Sequence, residues 1–380
     1  MKLKNANGVS EILEALAEIR DLDESQARSL PAGFYSSEKY LELEKEEIFR
    51  KEWICLGCVD EIRKRGDYFT TQLLDEPLVV VRGKDDKVRV LSNVCRHRSS
   101  VVVEGKGNAK NFVCPYHAWT YATDGQLLRA PYMNQVAGFD VKGCKLPEMT
   151  TEIWQGFIYV NLDGNAKPLA PRLKKLEPYL ENRHLEDMVV QTVQEDVWPT
   201  NWKCLAENFM EGYHLSTVHY KTLHDSTPTR LCEKIPPGDG FSAYKSHYDS
   251  KMPQREPYHP DLTAEEKRFS MYFWVFPSQA VGITSNGLAS LCLQPRGAGE
   301  VANRCILSSY VPDPTNAPEF GTEGFDKVMD EDRAQLERVR RGLKSHYIVP
   351  NRLGPADLEG TVWDMYQYMA RKLAPRNLRR

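Results

Sequence analysis

Cys95 and His97 are separated by one residue, Cys114 and His117 by two, and sixteen residues lie between the pairs. Thiolate sulfur and imidazole nitrogen are donors for transition metals, and four of them at this spacing can enclose one zinc ion or a two-iron cluster. The order of residue types bears on the choice. A zinc knuckle commonly pairs Cys with Cys and His with His. Here each short loop offers one of each. Two such loops facing each other place two thiolates on one iron and two imidazoles on the other, the ligand set of a Rieske [2Fe–2S] centre. A structural zinc site is the alternative reading. A second pair, His214 and His219, follows about a hundred positions later. Five residues of ideal helix turn through about 140°. These two rings therefore converge only where a helix ends, widens or bulges, and by itself the pair is a weak signal.

The segments "NVCRHR" and "FVCPYHAWTY" resemble the Rieske motif of the ring-hydroxylating (Rieske non-haem iron) oxygenases, α subunit. Ala118 stands where that family usually has Gly, and the added methyl is expected to cost little. The resemblance implies a second metal, because a Rieske cluster carries single electrons and does no oxygen chemistry alone. Fe(II) held by two histidines and a carboxylate keeps positions open for O2 and substrate. Asn201-Trp202-Lys203, Glu207-Asn208, Tyr213-His214 and His219 resemble the family's iron segment in order and spacing. They imply His214 and His219 as ligands and Asn208 as a neighbour supporting them. The implied third ligand is Asp332 in "VMDEDRAQLERVRRGL", with Asp330, Glu331 and Glu337 as competitors. Glu211, three residues before His214, resembles the family's carboxylate that links the two metals across a subunit boundary. The plain alternative is an exposed helical Glu.

What the resemblance implies beyond the metals is a terminal oxygenase component. A separate reductase, with or without a ferredoxin, would take electrons from NAD(P)H. The cluster at Cys95, His97, Cys114 and His117 would relay them to Fe(II), and O2 would then hydroxylate, dihydroxylate or demethylate a small organic substrate. A transfer path crossing subunits implies a homotrimer. Glu rather than Asp at position 211 leans toward the carnitine and betaine branch over aromatic substrates.

Elements able to hold these residues can be read from the pattern. Between Trp53 and Asp163, short Val-, Ile-, Phe-, Tyr- and Thr-rich runs alternate with Gly and Asp turns, as in a small antiparallel β domain. Ile12, Leu13, Leu16 and Ile19 share one helical face, and a second helix is expected over Ser37–Lys51. "NWKCLAENFMEGYHLSTVHYKTLH" has helical composition. Phe269–Pro295 reads as two strands, "NRCILSSYVP" as another, and two helices close the chain around Glu323–Lys344 and Asp357–Leu373. The expected class is α+β: an all-β Rieske domain (51–163) inserted in a larger catalytic domain of antiparallel sheet covered by helices (164–380), with helices of residues 1–50 packing on the latter.

Composition narrows the remaining options. A net charge of -3 over 380 residues argues against nucleic acid or an anionic membrane as partner. No apolar run approaches the roughly 18 residues of a membrane span, and the N-terminus lacks the apolar stretch of a secretory signal. Nine irregularly spaced cysteines suit a reducing cytoplasm. Cys55-x2-Cys58 reads as two core residues of a strand. "GKGN" near residue 105 reads as a turn, and no glycine motif for a nicotinamide or flavin precedes a helix. Tyr272, Trp274 and Phe276 would share one side of a strand, as core or as pocket wall. Three rivals each explain one part: a Rieske electron carrier without catalysis, a zinc-stabilised interaction protein, and a zinc hydrolase built on His214 and His219.

Overall fold

Leu78 to Val81 is buried without alternation, the mark of a strand covered on both faces. It forms the middle of the first of two compact units, Lys51–Lys167. The computed structural model describes residues 8–20, 22–252, 256–313, 321–345 and 347–374. In this unit β1 (Ile54–Cys58), β2 (Asp67–Leu73), β3 (Glu76–Arg82), β4 (Val88–Ser92) and β5 (Lys106–Asn108) are followed by β6 (Asn111–Val113), β7 (Thr120–Ala122), β8 (Leu127–Arg129), β9 (Glu148–Trp154) and β10 (Phe157–Asn161). They form an antiparallel sheet of order β1-β10-β9-β4-β3-β2-β5 and a smaller one, β6-β7-β8. The expected turn at "GKGN" is partly a strand: Lys106 to Asn108 pairs with β2. Cys55 and Cys58 are buried, and a bulge between Cys55 and Gly57 puts the intervening residues out of simple alternation.

The other unit comprises Met1–Arg50 and Pro168–Arg380. Helices α1 (Val9–Ile19), α2 (Gly33–Ser36) and α3 (Glu38–Glu44) precede the inserted unit, and α3 runs on into a π-helical turn, Lys45–Phe49. After the insertion come α4 (Leu169–Leu173), β11 (Val189–Trp198), α5 (Trp202–Met210), β12 (Cys232–Ile235), β13 (Phe241–His247), β14 (Phe269–Val275), β15 (Gln279–Ile283), β16 (Gly287–Gly297), β17 (Glu300–Ser309), α6 (Glu323–Gly342) and α7 (Ala356–Leu373). The seven strands make one antiparallel sheet, a meander from β12 to β17 closed at its far edge by β11. Phe269–Pro295 is three strands rather than the expected two. The chain turns at Phe276-Pro277-Ser278, where Pro277 has no N–H to give a ladder.

Helix α5 is fixed by its first residues. Asn201 caps it, its Oδ1 accepting from Lys203 N–H at 3.0 Å, while its Nδ2 donates to the carbonyls of Tyr35 (2.8 Å) and Ala298 (2.9 Å). Trp202 Nε1 and Lys203 Nζ both donate to the Glu44 carboxylate on α3, at 3.0 and 2.6 Å. Glu44 and Lys203 are fully buried, so removing either partner strands a charge at a cost of about 3–5 kcal/mol. Part of the segment that resembles the family's iron motif is thus an anchor tying α5 to the N-terminal helices. The helix stops at Met210, far short of the expected span: Glu211 is extended (φ −119°, ψ 149°). Gly212 follows because a Cβ there would lie 2.4 Å from Cys232 Sγ.

Candidate metal centres

Two short loops of the β unit are built alike. In one, Cys95 N–H donates to Ser100 O (2.8 Å) and Ser99 N–H to Cys95 O (3.1 Å). In the other, Cys114 N–H donates to Trp119 O (2.8 Å) and Ala118 N–H to Cys114 O (3.0 Å). Each closes through a left-handed residue, Ser99 at φ 54° and Ala118 at φ 56°. The Ala118 methyl therefore meets a backbone cost of about 1–2 kcal/mol that Gly escapes, more than the sequence led us to expect. The second loop is the tip of the β6–β7 hairpin. Cys95 and Cys114 point into a core with Val79, Leu91, Phe112, Trp119, Tyr121 and Leu146.

His97 and His117 are exposed, and their Nδ1 atoms face each other at 3.2 Å. His97 lies flat on Trp119 (centroids 4.8 Å apart, 6° between planes), and Tyr116 stacks on His117 at 3.9 Å. Partial desolvation holds the His97 imidazole below its usual range, and the His117 ring and Arg98 add to the effect. Its neutral form, the one that ligates, is favoured. Two donors bound to one ion at about 2.1 Å sit roughly 3.0–3.4 Å apart at octahedral to tetrahedral angles. The paired Nδ1 atoms fit one iron, and two buried thiols suit its neighbour.

Tyr121 accepts from Arg96 N–H (3.0 Å), and its hydroxyl lies 3.3 Å from Cys95 Sγ. Burial pushes its phenol well up, so the proton stays on oxygen. With the acceptor role taken by Arg96, that proton is left to point at the sulfur. A hydrogen bond to a cluster sulfur stabilises the more negative, reduced state. Tyr121→Phe is expected to lower the cluster potential by about 60 mV, the equivalent of ~1.4 kcal/mol in a one-electron couple. A redox titration followed in the visible spectrum checks this, and an unchanged potential counts against the bond.

The second centre lies in the other unit, just beyond α5. His214 and His219 sit in a run of turns after the helix has ended, which frees them from helical spacing. The His219 carbonyl accepts from the N–H groups of Thr222, Leu223 and His224. His214 Nε2 is 3.2 Å from His219 Nε2 and 3.5 Å from Asp332 Oδ1, which is 3.1 Å from His219 Nε2. All three separations suit donors around one cation. His219 and Asp332 are buried. Burial works against charge on His219, but the Asp332 and Glu331 carboxylates outweigh it and raise the imidazole. A bound cation takes the place of that proton.

Each ligand candidate is held from behind, as metal-binding side chains generally are. Glu211 accepts a hydrogen bond from His214 Nδ1 and, through its other oxygen, from the N–H groups of Tyr213 and His214. Glu331 Oε2 accepts from His219 Nδ1 (2.8 Å) and Thr222 Oγ1 (2.6 Å). Asn208 Nδ2 donates to Asp332 Oδ1 at 3.1 Å. Glu331, a competitor of Asp332 in the sequence, thus sits on the far nitrogen of His219. That position and the parts of Thr222 and Tyr121 escaped the sequence reading. Adjacency to Asp332 was the one available signal, and neighbours on a helix point about 100° apart. His224 lies outside the trio, its ring stacked on Tyr220 at 5.3 Å. Of the expected aromatic strand face, Trp274 and Phe276 are core. Tyr272 is half-buried, stacked on Tyr244 (4.8 Å, 9°) and edged by Phe209 on α5.

Both donor sets fall within stretches that match known families. Residues 52–140 match the Rieske [2Fe-2S] domain, and residues 179–375 match the ring hydroxylating alpha subunit (catalytic domain). Over 200 residues the chain is 36% identical to the carnitine monooxygenase oxygenase subunit of Escherichia coli (strain K12), covering 51% of this chain and 53% of that one. The benzene 1,2-dioxygenase subunit alpha of Pseudomonas putida is 36% identical over 236 residues, 59% of this chain and 52% of that one. The matches span about half the length of these curated relatives. A quaternary ammonium Rieske monooxygenase, described for carnitine oxidation and inter-subunit electron transfer, superposes with a TM-score of 0.79 at 26% identity. That match covers 92% of this chain and 97% of that one. Naphthalene 1,2-dioxygenase from Rhodococcus sp. shares the fold, with a TM-score of 0.79 at 22% identity, over 97% of this chain and 98% of that one.

Proposed function

Because the chain belongs to the ring-hydroxylating alpha-subunit family, we propose that it is the terminal oxygenase component of a Rieske non-haem iron system. The observation that carries this reading is the presence of two unlike donor sets in one chain. One is a pair of Nδ1 atoms 3.2 Å apart on the same two loops as two buried thiols; the other is a His-His-Asp trio with separations of 3.1–3.5 Å. When bound, a [2Fe–2S] cluster supplies one electron at a time and Fe(II) supplies O2 activation. Zinc changes no oxidation state and serves neither purpose.

In this reading Cys95, Cys114, His97 and His117 hold the cluster, and the exposed histidine edge is where an electron enters or leaves. His214, His219 and Asp332 hold Fe(II). Glu211 accepts the hydrogen bond of His214 Nδ1–H and so aims Nε2 at the ion, and Glu331 does the same for His219. Asn208 keeps one oxygen of Asp332 in place. Glu211 is also the proposed electron bridge to the cluster of a neighbouring subunit, in a ring of subunits of which the homotrimer is the simplest. The relative described for inter-subunit electron transfer supports this. Electrons come from a separate NAD(P)H-dependent reductase, directly or through a ferredoxin, and the setting is the cytoplasm. Among the described residues, no helix is long and apolar enough to cross a membrane.

The substrate is a small methylated ammonium compound, oxidised by monooxygenation. Carnitine and glycine betaine relatives at 36–37% identity support it, as does the longer carboxylate at position 211. The benzene 1,2-dioxygenase match, equal in identity and longer in extent, keeps an aromatic ring as the second reading. Chemically reduced, iron-loaded protein exposed to O2 with carnitine, glycine betaine or benzene separates the two in a single turnover, without the reductase. An oxidised, demethylated or hydroxylated ammonium product is expected. A cis-diol from benzene selects the second reading, and no product from any substrate removes both.

A further inference from the structure

The sheet-bearing unit gathers another set of donors, which shares no residue with either centre. His184 lies between the short turns Glu181–Arg183 and Leu185–Asp187 that lead into β11. His259 and Asp261 come from the connection between β13 and β14. The His184 and His259 rings lie 4.1 Å apart at 30°. One donor atom from each of His184, Asp187 and His259 falls within 4.8 Å of the others. Asp261 Oδ2 accepts from His184 Nε2 at 2.8 Å and stands 3.7 Å from His259 Nδ1. The Asp261 N–H donates a long bond to that same Nδ1, at 3.3 Å.

Burial gives little reason for this meeting. The side chains of His184 and Asp261 keep 30% and 57% of their exposure and Asp187 is exposed; His259, edged by Tyr310, is the most covered at 17%. His184 moreover adopts φ 42°, ψ 59°, a conformation that costs a non-glycine residue free energy. The chemistry of the donors supplies a reason. A carboxylate that accepts a hydrogen bond from the Nε2–H of a histidine fixes the tautomer and leaves Nδ1 free for a metal ion. Asp261 does this to His184. Two imidazoles and a carboxylate, with water in a fourth position, are a zinc ligand set. Such donors bind zinc more tightly than Fe(II), a preference that the His214, His219 and Asp332 trio shares, so iron has to be counted alongside zinc.

We propose that His184, Asp187 and His259 form a site for a zinc-class divalent cation, with Asp261 positioning His184. The ion ties the β13–β14 connection to the turns before β11. Donors on one ion sit about 3.0–3.4 Å apart, so binding draws the trio together by an ångström or so. The site shares no residue with the proposed oxygenase centres.

The test uses the iron-loaded full chain, equilibrated with Zn2+ and dialysed. One retained zinc per chain is expected by elemental analysis, with unchanged iron, sulfide and visible spectrum, and a melting temperature raised by a few degrees. His184→Ala and His259→Ala should each lose the zinc and the thermal shift while keeping the iron. Asp261→Asn removes no ligand and should weaken zinc about 10- to 100-fold, which serves if the alanine variants do not fold. The proposal falls if no zinc is retained, if zinc survives in His259→Ala, or if zinc binds only as iron leaves and is lost in His214→Ala.

Discussion

His214→Ala is expected to abolish oxygenation, by at least ~100-fold, while the visible spectrum of the cluster persists. The two donor sets share no residue and belong to different compact units. The imidazole lost is one corner of the His-His-Asp triangle, 3.2 Å from His219 Nε2 and 3.5 Å from Asp332 Oδ1. Its loss leaves two donors, too few to hold a divalent ion against water. Elemental analysis should find mononuclear iron missing and the cluster iron and sulfide intact. Loss of colour together with activity would mean one shared site, contrary to the arrangement described. Asp332→Ala should behave alike, because it removes another corner.

Glu211→Gln is expected to cut turnover about 100-fold while both metals stay. Gln keeps the length of the side chain and an acceptor oxygen for His214 Nδ1 or the Tyr213 N–H, but has no charge and only one such oxygen. Glu211 uses both of its oxygens now. A role confined to positioning His214 predicts weaker iron binding in this variant. A role in passing electrons predicts something different: iron retained, and a pre-reduced cluster that stays reduced when O2 and substrate are added. Stopped-flow reoxidation of the cluster distinguishes the two. Glu211→Asp should recover part of the rate if charge is what matters.

The cluster motif was legible because its four ligands are local in sequence and its loops are short and self-closed. The resemblance was carried by "NVCRHR" and "FVCPYHAWTY", and family, fold class and β texture all followed from such local pattern. The iron segment was legible in order but not in shape. Its composition is helical throughout, yet the helix ends at Met210, because the close approach of Gly212 to Cys232 belongs to tertiary packing. The same limit hid β11. Up to the buried Trp198 at its end, its residues are part-buried or exposed with no clean alternation, so period-two reasoning has little to hold. The edge role it takes against β17 is set by its partner. Partners distant in sequence escaped for the same reason. Nothing local to Glu331 assigns it to His219, and nothing local to Lys203 foretells its buried pairing with Glu44.

The central claim is that one chain holds a paired-iron sulfide centre and, separately, a single ferrous ion. Combined iron, acid-labile sulfide and zinc analysis with a visible spectrum on anaerobically reconstituted protein tests it most directly. About three irons and two sulfides per chain, with the absorption of a Rieske centre, are predicted. A colourless protein without sulfide, carrying zinc on Cys95, His97, Cys114 and His117, would contradict it.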